Sequence, residues 1–215
     1  VVNGQKIMNP YKIVDDFEKT ISNFSGSKYG IAVDSCSNAI FLCLKYLNLY
    51  GGYEKQTIKI PKKTYISVPC AIRNAGFNVE FEDLDWSGCY QLKPLPIIDG
   101  ALRFKNGMYQ GGFHCLSFHV NKHLKIGRGG MILTDDKEAY EWFKLARFNG
   151  RGAENTSYLD SCKMIGWNFY MTNSDAARGL WLFCGIDKNS EDIKSEYSDL
   201  SNYDFNNINS GEFFK

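Results

Sequence analysis

The chain has 215 residues, 44% of them hydrophobic, enough to bury one substantial core but too few for two complete domains without crowding. Its 25 basic and 24 acidic residues nearly cancel, so no whole-chain field draws it to nucleic acid, an anionic membrane or an acidic partner. Seven scattered cysteines without a CxxC pair speak against a zinc or redox site, and no apolar run reaches the roughly 20 residues of a membrane span. The expectation is a cytoplasmic protein with reduced thiols, no metal and no signal peptide over Val1 to Pro10.

Asn9 and Pro10 make a helix start, after which Ile13, Val14, Phe17, Ile21 and Phe24 recur at helical spacing until Gly26. Tyr29 to Val33 reads as a buried strand that passes through the polar turn Asp34 to Asn38 into a helix carrying Ile40, Cys43, Leu44 and Leu47. The same grammar predicts strands near Thr57 to Ile60, Asn78 to Glu82 and Leu95 to Ile98, and a helix starting around Tyr65. Phe113 to Phe118 and Met131 to Thr134 read as neighbouring strands joined by a glycine-rich functional loop, followed by helices over Lys137 to Phe148 and about Ser174 to Cys184. Strands alternating with helices indicate an α/β fold with a mostly parallel sheet and helices on both faces. From Asp187 to Asn209 the chain is dominated by Asp, Glu, Ser, Asn and Lys, so residues 1–186 are expected to form one domain and 187–215 a polar tail without a core of its own.

In open α/β sheets, ligands bind beyond the carboxyl ends of the strands. The turn Asp34-Ser35-Cys36-Ser37-Asn38 sits between strand and helix, where backbone amides and the helix dipole can receive a phosphate; the same turn could simply cap the helix. Thr64 and Tyr65 bring a hydroxyl and an aromatic face, Asp99 ends an apolar strand, and Ser117 to Lys122 close another strand with a hydroxyl, His119 and an amine. Taken singly, a strand-end Asp is ordinarily a turn residue, a loop Lys is ordinarily solvated and Tyr65 is ordinarily a core or edge aromatic.

Together these residues follow one order of motifs. The chain resembles the DegT/StrS family of nucleotide-sugar aminotransferases from about Phe17 to Phe183. The resemblance rests on FSGSKYGIAVDSCSNAI, IPKKTYISVPCAIRNAGFNVEFED, PIIDGA, SFHVNKHLKIGRGGMILTDD and IGWNFYMTNSDAARGL. Its most specific element is Ser117-Phe118-x-x-x-Lys122 followed by Gly127-x-Gly129-Gly130. It implies the large domain of a fold-type-I transferase in which Lys122 holds pyridoxal 5'-phosphate as a Schiff base. Asp99 is expected on the pyridine nitrogen and Tyr65 on the ring face. Ser35, Cys36 and Ser117 are expected on the phosphate, and Asn168 against the phosphate of the partner subunit in a homodimer. The implied reaction is transfer of an amino group from an amino acid, by family habit glutamate, to a nucleotide-linked keto-sugar.

Four departures accompany the match. Leu102 stands where the family usually carries Gln or His for the cofactor's ring oxygen. Arg128 stands where a glutamate is usual, and Tyr170 where an arginine is usual. Members also ordinarily continue into a smaller C-terminal domain. These departures support an alternative: a relative that binds a nucleotide sugar or a partner without turnover. Related sugar dehydratases carry a histidine in place of the lysine, so His123 beside Lys122 keeps dehydration as a further alternative, with the retained lysine favouring transamination.

Overall fold

The computed structural model describes residues 9, 11–53, 55–152 and 162–208. Helix α1 (Lys12–Ser25) buries Val14, Phe17, Ile21 and Phe24 on one face and ends at Gly26, whose left-handed backbone (φ 86°) lets its N–H reach Ser22 O. Pro10, expected at the helix start, lies outside the described residues. Next come β1 (Tyr29–Val33), α2 (Cys36–Tyr50), β2 (Thr57–Pro61), α3 (Ser67–Ala75) and β3 (Asn78–Glu82). They are followed by β4 (Tyr90–Gln91), β5 (Ile97–Asp99), β6 (Phe113–Ser117), β7 (Gly130–Thr134), α4 (Lys137–Ala146) and α5 (Asn173–Phe183). The fold is α/β, as the alternation of patterns predicts.

Five strands pair in the order β1-β7-β6-β5-β4, and β2 pairs with β3 beside them. The expected mostly parallel sheet is met in strand direction but not in pairing. Neighbours β1 and β7, β6 and β7, and β4 and β5 are antiparallel, whereas β5 with β6 and β2 with β3 are parallel. No helix intervenes between β4 and β5 or between β6 and β7, and there the chain returns alongside itself, whereas β5 and β6, also joined without a helix, stay parallel. Lys59 and Lys93 exchange backbone hydrogen bonds of 2.8 and 3.1 Å in an antiparallel bridge, which joins β2 to the end of β4. As a result β1, β2, β3, β5 and β6 run one way and β4 and β7 the other, so the carboxyl ends of the first group gather at one edge.

Side chains alternate across the strands and build a core on each face. Ile31, Val33, Phe113, Cys115 and Ile132 face the core shared with α2, α3 and α4. Ala32, Leu116, Met131 and Leu133 face the core shared with α1 and α5. Burying each large apolar side chain, such as Phe17 or Ile21, stabilises the fold by about 1.5–3 kcal/mol. Helix α1 is also tied to β1 and α4 by charge: Glu18 accepts the Ala32 N–H at 2.9 Å, pairs with Arg147, and meets Lys144 at 3.0 Å. Both Glu18 and Arg147 side chains are only 6% exposed, so each offsets the desolvation of the other.

Residues 187–208 form no helix or long strand, yet they pack on the domain. Their Leu200 and Phe205 side chains are buried, and the Asn206 side chain bonds both the N–H and C=O of Val79 at 2.8 Å. Residues 209–215 of the expected tail lie outside the described residues. All seven cysteines are free thiols, and no helix among the described residues is long and apolar enough to cross a membrane.

Candidate active site

The common strand edge holds a cavity of about 420 Å³. It is lined by Ser35, Cys36, Tyr65, Asp99, Ser117 and Lys122, six of the seven residues singled out from sequence. They converge because β1, β2, β5 and β6 end at this edge, while reversed β7 begins there at Gly130, just after the lining residue Gly129.

Asp99, the last residue of β5, is 4% exposed. Its Oδ1 accepts the Ala101 N–H at 3.0 Å and lies 3.9 Å from Cys36 Sγ. It thus serves as the turn residue of the plain reading and also faces the cavity. Burial pushes its carboxyl above the usual carboxylate range, while the Ala101 N–H, the Tyr90 hydroxyl and Lys122 pull it back towards the charged form. Thr64 supports this floor, its hydroxyl 2.6 Å from that of Tyr90. Burial and the Asp99 charge together push the Cys36 thiol well up, so it stays protonated.

Lys122 follows β6 by five residues, its N–H bonded to His119 O at 3.0 Å. Burial lowers its amine below the usual lysine value, opposed by the charge of Asp99. Its Nζ donates to the Tyr197 hydroxyl at 2.7 Å. The neighbouring His123 turns the other way, with Nε2 2.9 Å from Glu191 O, and is absent from the cavity lining.

One end of the cavity is the amino terminus of α2. Ser35 is the N-cap, accepting the Asn38 N–H at 3.2 Å, so the turn caps the helix and also lines the cavity. A side chain at Gly130 would place Cβ 2.5 Å from Cys36 N and 2.6 Å from Ser35 O. Only glycine lets β7 run this close to the turn, and Gly129 next to it has φ 137°. Arg128 reaches Asp34 at 2.9 Å across the same turn, and Leu102 is a buried apolar wall.

Tyr65 is 55% exposed at the cavity mouth. Asn168 does not join this cavity: it is exposed and bridges to Phe148. Tyr170 packs its ring on Tyr11 and Phe148 away from the lining. The residues that sequence reasoning missed come chiefly from the polar segment, which supplies Ile193, Lys194, Glu196 and Tyr197 to one wall. The available signal was the apolar series Ile193, Tyr197 and Leu200 within that polar composition. Among the described residues no cluster of His, Cys, Asp and Glu could hold a metal ion.

A buried carboxylate and an amine beyond adjacent parallel strands, facing a helix amino terminus, define the large domain of a fold-type-I transferase. The chain belongs to the DegT/DnrJ/EryC1/StrS aminotransferase family, whose model matches residues 1–97 and 105–204. It is 27% identical to GDP-perosamine synthase of Escherichia coli O157:H7, covering 92% of this chain and 63% of that protein. It is 25% identical to the spore coat polysaccharide biosynthesis protein SpsC of Bacillus subtilis strain 168, covering 86% and 60%. The solved structure of AtS13 from Actinomadura melliaura shares the fold with a TM-score of 0.67 at 20% identity, covering 80% of this chain and 59% of that one. The chain therefore spans about six tenths of the length of these relatives.

Proposed function

We propose that this domain serves a pyridoxal-phosphate-dependent aminotransferase that moves an amino group from an amino acid, glutamate, to a nucleotide-linked keto-sugar. The observation that carries the reading is the joint placement of Lys122 and Asp99 in one cavity with the amino terminus of α2. The donor set fits the cofactor. Lys122 would hold its aldehyde carbon, and Asp99 its pyridine nitrogen. Tyr65 would cover the ring face, and Ser35, Cys36 and Ser117 with the α2 amides would hold the phosphate. Asn168, exposed on this subunit, would serve the cavity of the partner in a homodimer. When bound, the cofactor supplies an electron sink for the charge left as a C–H proton departs.

The chain's own contributions follow from the geometry. Asp99 provides a fixed negative charge whose cost of burial is offset by the Ala101 N–H and Tyr90 hydroxyl. Lys122, with its amine lowered by burial, has a larger neutral fraction and can take up or return a proton at Nζ. Leu102 and Ile193 give the same cavity an apolar wall. The turning of His123 towards Glu191 O supports transamination over the histidine-dependent dehydration.

Leu102 favours a second reading, a relative that keeps the cavity without turnover, because a buried apolar side chain offers the ring oxygen no partner. Adding glutamate to the cofactor-loaded protein separates the two. A spectral change from the aldehyde to the amine form is expected, and Lys122→Ala should lose it together with all transamination. Full transaminase activity in the Lys122→Ala protein would sink the assignment.

A further inference from the structure

One wall of the cavity is a strap, residues 191–200, pinned on both sides of Tyr197. Before it, Arg103 closes on Asp192 at 2.5 Å, both side chains about a fifth exposed. Ile193 donates its N–H to Leu102 O and accepts the Gly88 N–H, each at 3.0 Å, and Ser195 Oγ donates to Lys63 O at 3.2 Å. After it, the Leu200 N–H reaches Lys62 O at 2.9 Å and the Leu200 side chain is buried. Between these anchors the Tyr197 ring lies nearly parallel to Trp86 at 6.2 Å, and Trp86 is itself held by Nε1 donating to Lys63 O at 2.8 Å.

The hydroxyl of this anchored ring is the side-chain partner of Lys122 Nζ among the described residues, at 2.7 Å. A free lysine side chain carries about 2 kcal/mol of rotamer entropy, so an amine that must meet one carbon atom gains from a fixed partner. Trp86 and the strap make Tyr197 such a partner. We propose that Tyr197 is a positioning residue for Lys122, its hydroxyl aiming the amine into the cavity. This rests on the reading of the cavity as the pyridoxal phosphate site.

Tyr197→Phe in the full chain keeps the ring on Trp86 and removes only the hydroxyl. Capture of pyridoxal phosphate is measured by borohydride quenching at timed intervals. In parallel, the affinity is measured for pyridoxamine phosphate, an amine form that needs no lysine. Capture on Lys122 should slow by about tenfold, the worth of one hydrogen bond to a charged group, with pyridoxamine phosphate affinity and the melting midpoint unchanged. Capture at the parent rate would overturn the proposal, and slowing seen only in Tyr197→Ala would assign Tyr197 to ring packing instead. An equal loss of pyridoxamine phosphate binding would move the hydroxyl's role from the lysine to the cofactor and also overturn it. If the parent protein neither captures pyridoxal phosphate nor binds pyridoxamine phosphate, the cofactor reading fails first and the proposal with it.

Discussion

His114 shows how a single buried side chain couples this fold to pH. It sits in β6 at 2% exposure, and its Nε2 has no hydrogen-bond partner among the described residues. Burial, with the nearby Arg103 charge, lowers its imidazole from 6.5 to about 4. The folded pKa lies below the unfolded one, so the neutral ring's contribution is complete above about pH 6.5 and is lost as pH falls towards 4. The expected loss is about 2 kcal/mol between pH 7 and pH 5. Asp99 works in the opposite sense, because its raised pKa makes the buried carboxylate less costly as pH falls. Urea unfolding at both pH values separates them: His114→Leu should flatten the acid loss, and an unchanged slope would remove His114 from this account. Asp99 and Lys122, which line the cavity together, were legible at this scale because Asp99 ends an apolar run and Lys122 follows one at a fixed spacing. Tyr90 was not, since its contact with Thr64 and Asp99 depends on β4 pairing with β5, and no local pattern encodes that pairing.

Among elements, the contact of β7 with the start of α2 shapes the end of the cavity proposed to take the phosphate. Gly130→Ala would force Cβ against the Ser35 and Cys36 backbone, atoms that cannot rotate away. A cost of about 1–3 kcal/mol is expected, together with weaker pyridoxal phosphate binding. Gly185→Ala, where the nearest atom is 3.9 Å away, is the matched control and should change neither. Denaturant midpoints and cofactor titration check both, and a Gly130→Ala protein that behaves like the control would contradict the packing described here. Most elements were readable from periodicity: β3 spans Asn78–Glu82 as its pattern predicts, and α1, α4 and α5 differ from expectation only near their ends. The antiparallel neighbours of β7 were not readable, because alternation of strands and helices says little about direction where a helix is missing between two strands.

At the level of the whole molecule, the sequence divides the chain into a patterned domain and a polar segment, and the structure joins them at the site. The segment's polarity conceals its part because its anchors are mostly backbone bonds to loops, as at Gly88, Leu102 and Lys62, with single apolar side chains between them. Ile193 and Tyr197 therefore close a cavity whose residues from the patterned domain precede them by 64 positions or more, the last of them Gly129. The central claim is that this cavity holds pyridoxal phosphate through Lys122. It is tested most directly by loading the protein with the cofactor, reducing it with borohydride and mapping the labelled peptide by mass. A pyridoxyl group on Lys122 is the predicted result; a label on another lysine, or none on a folded protein, would contradict it.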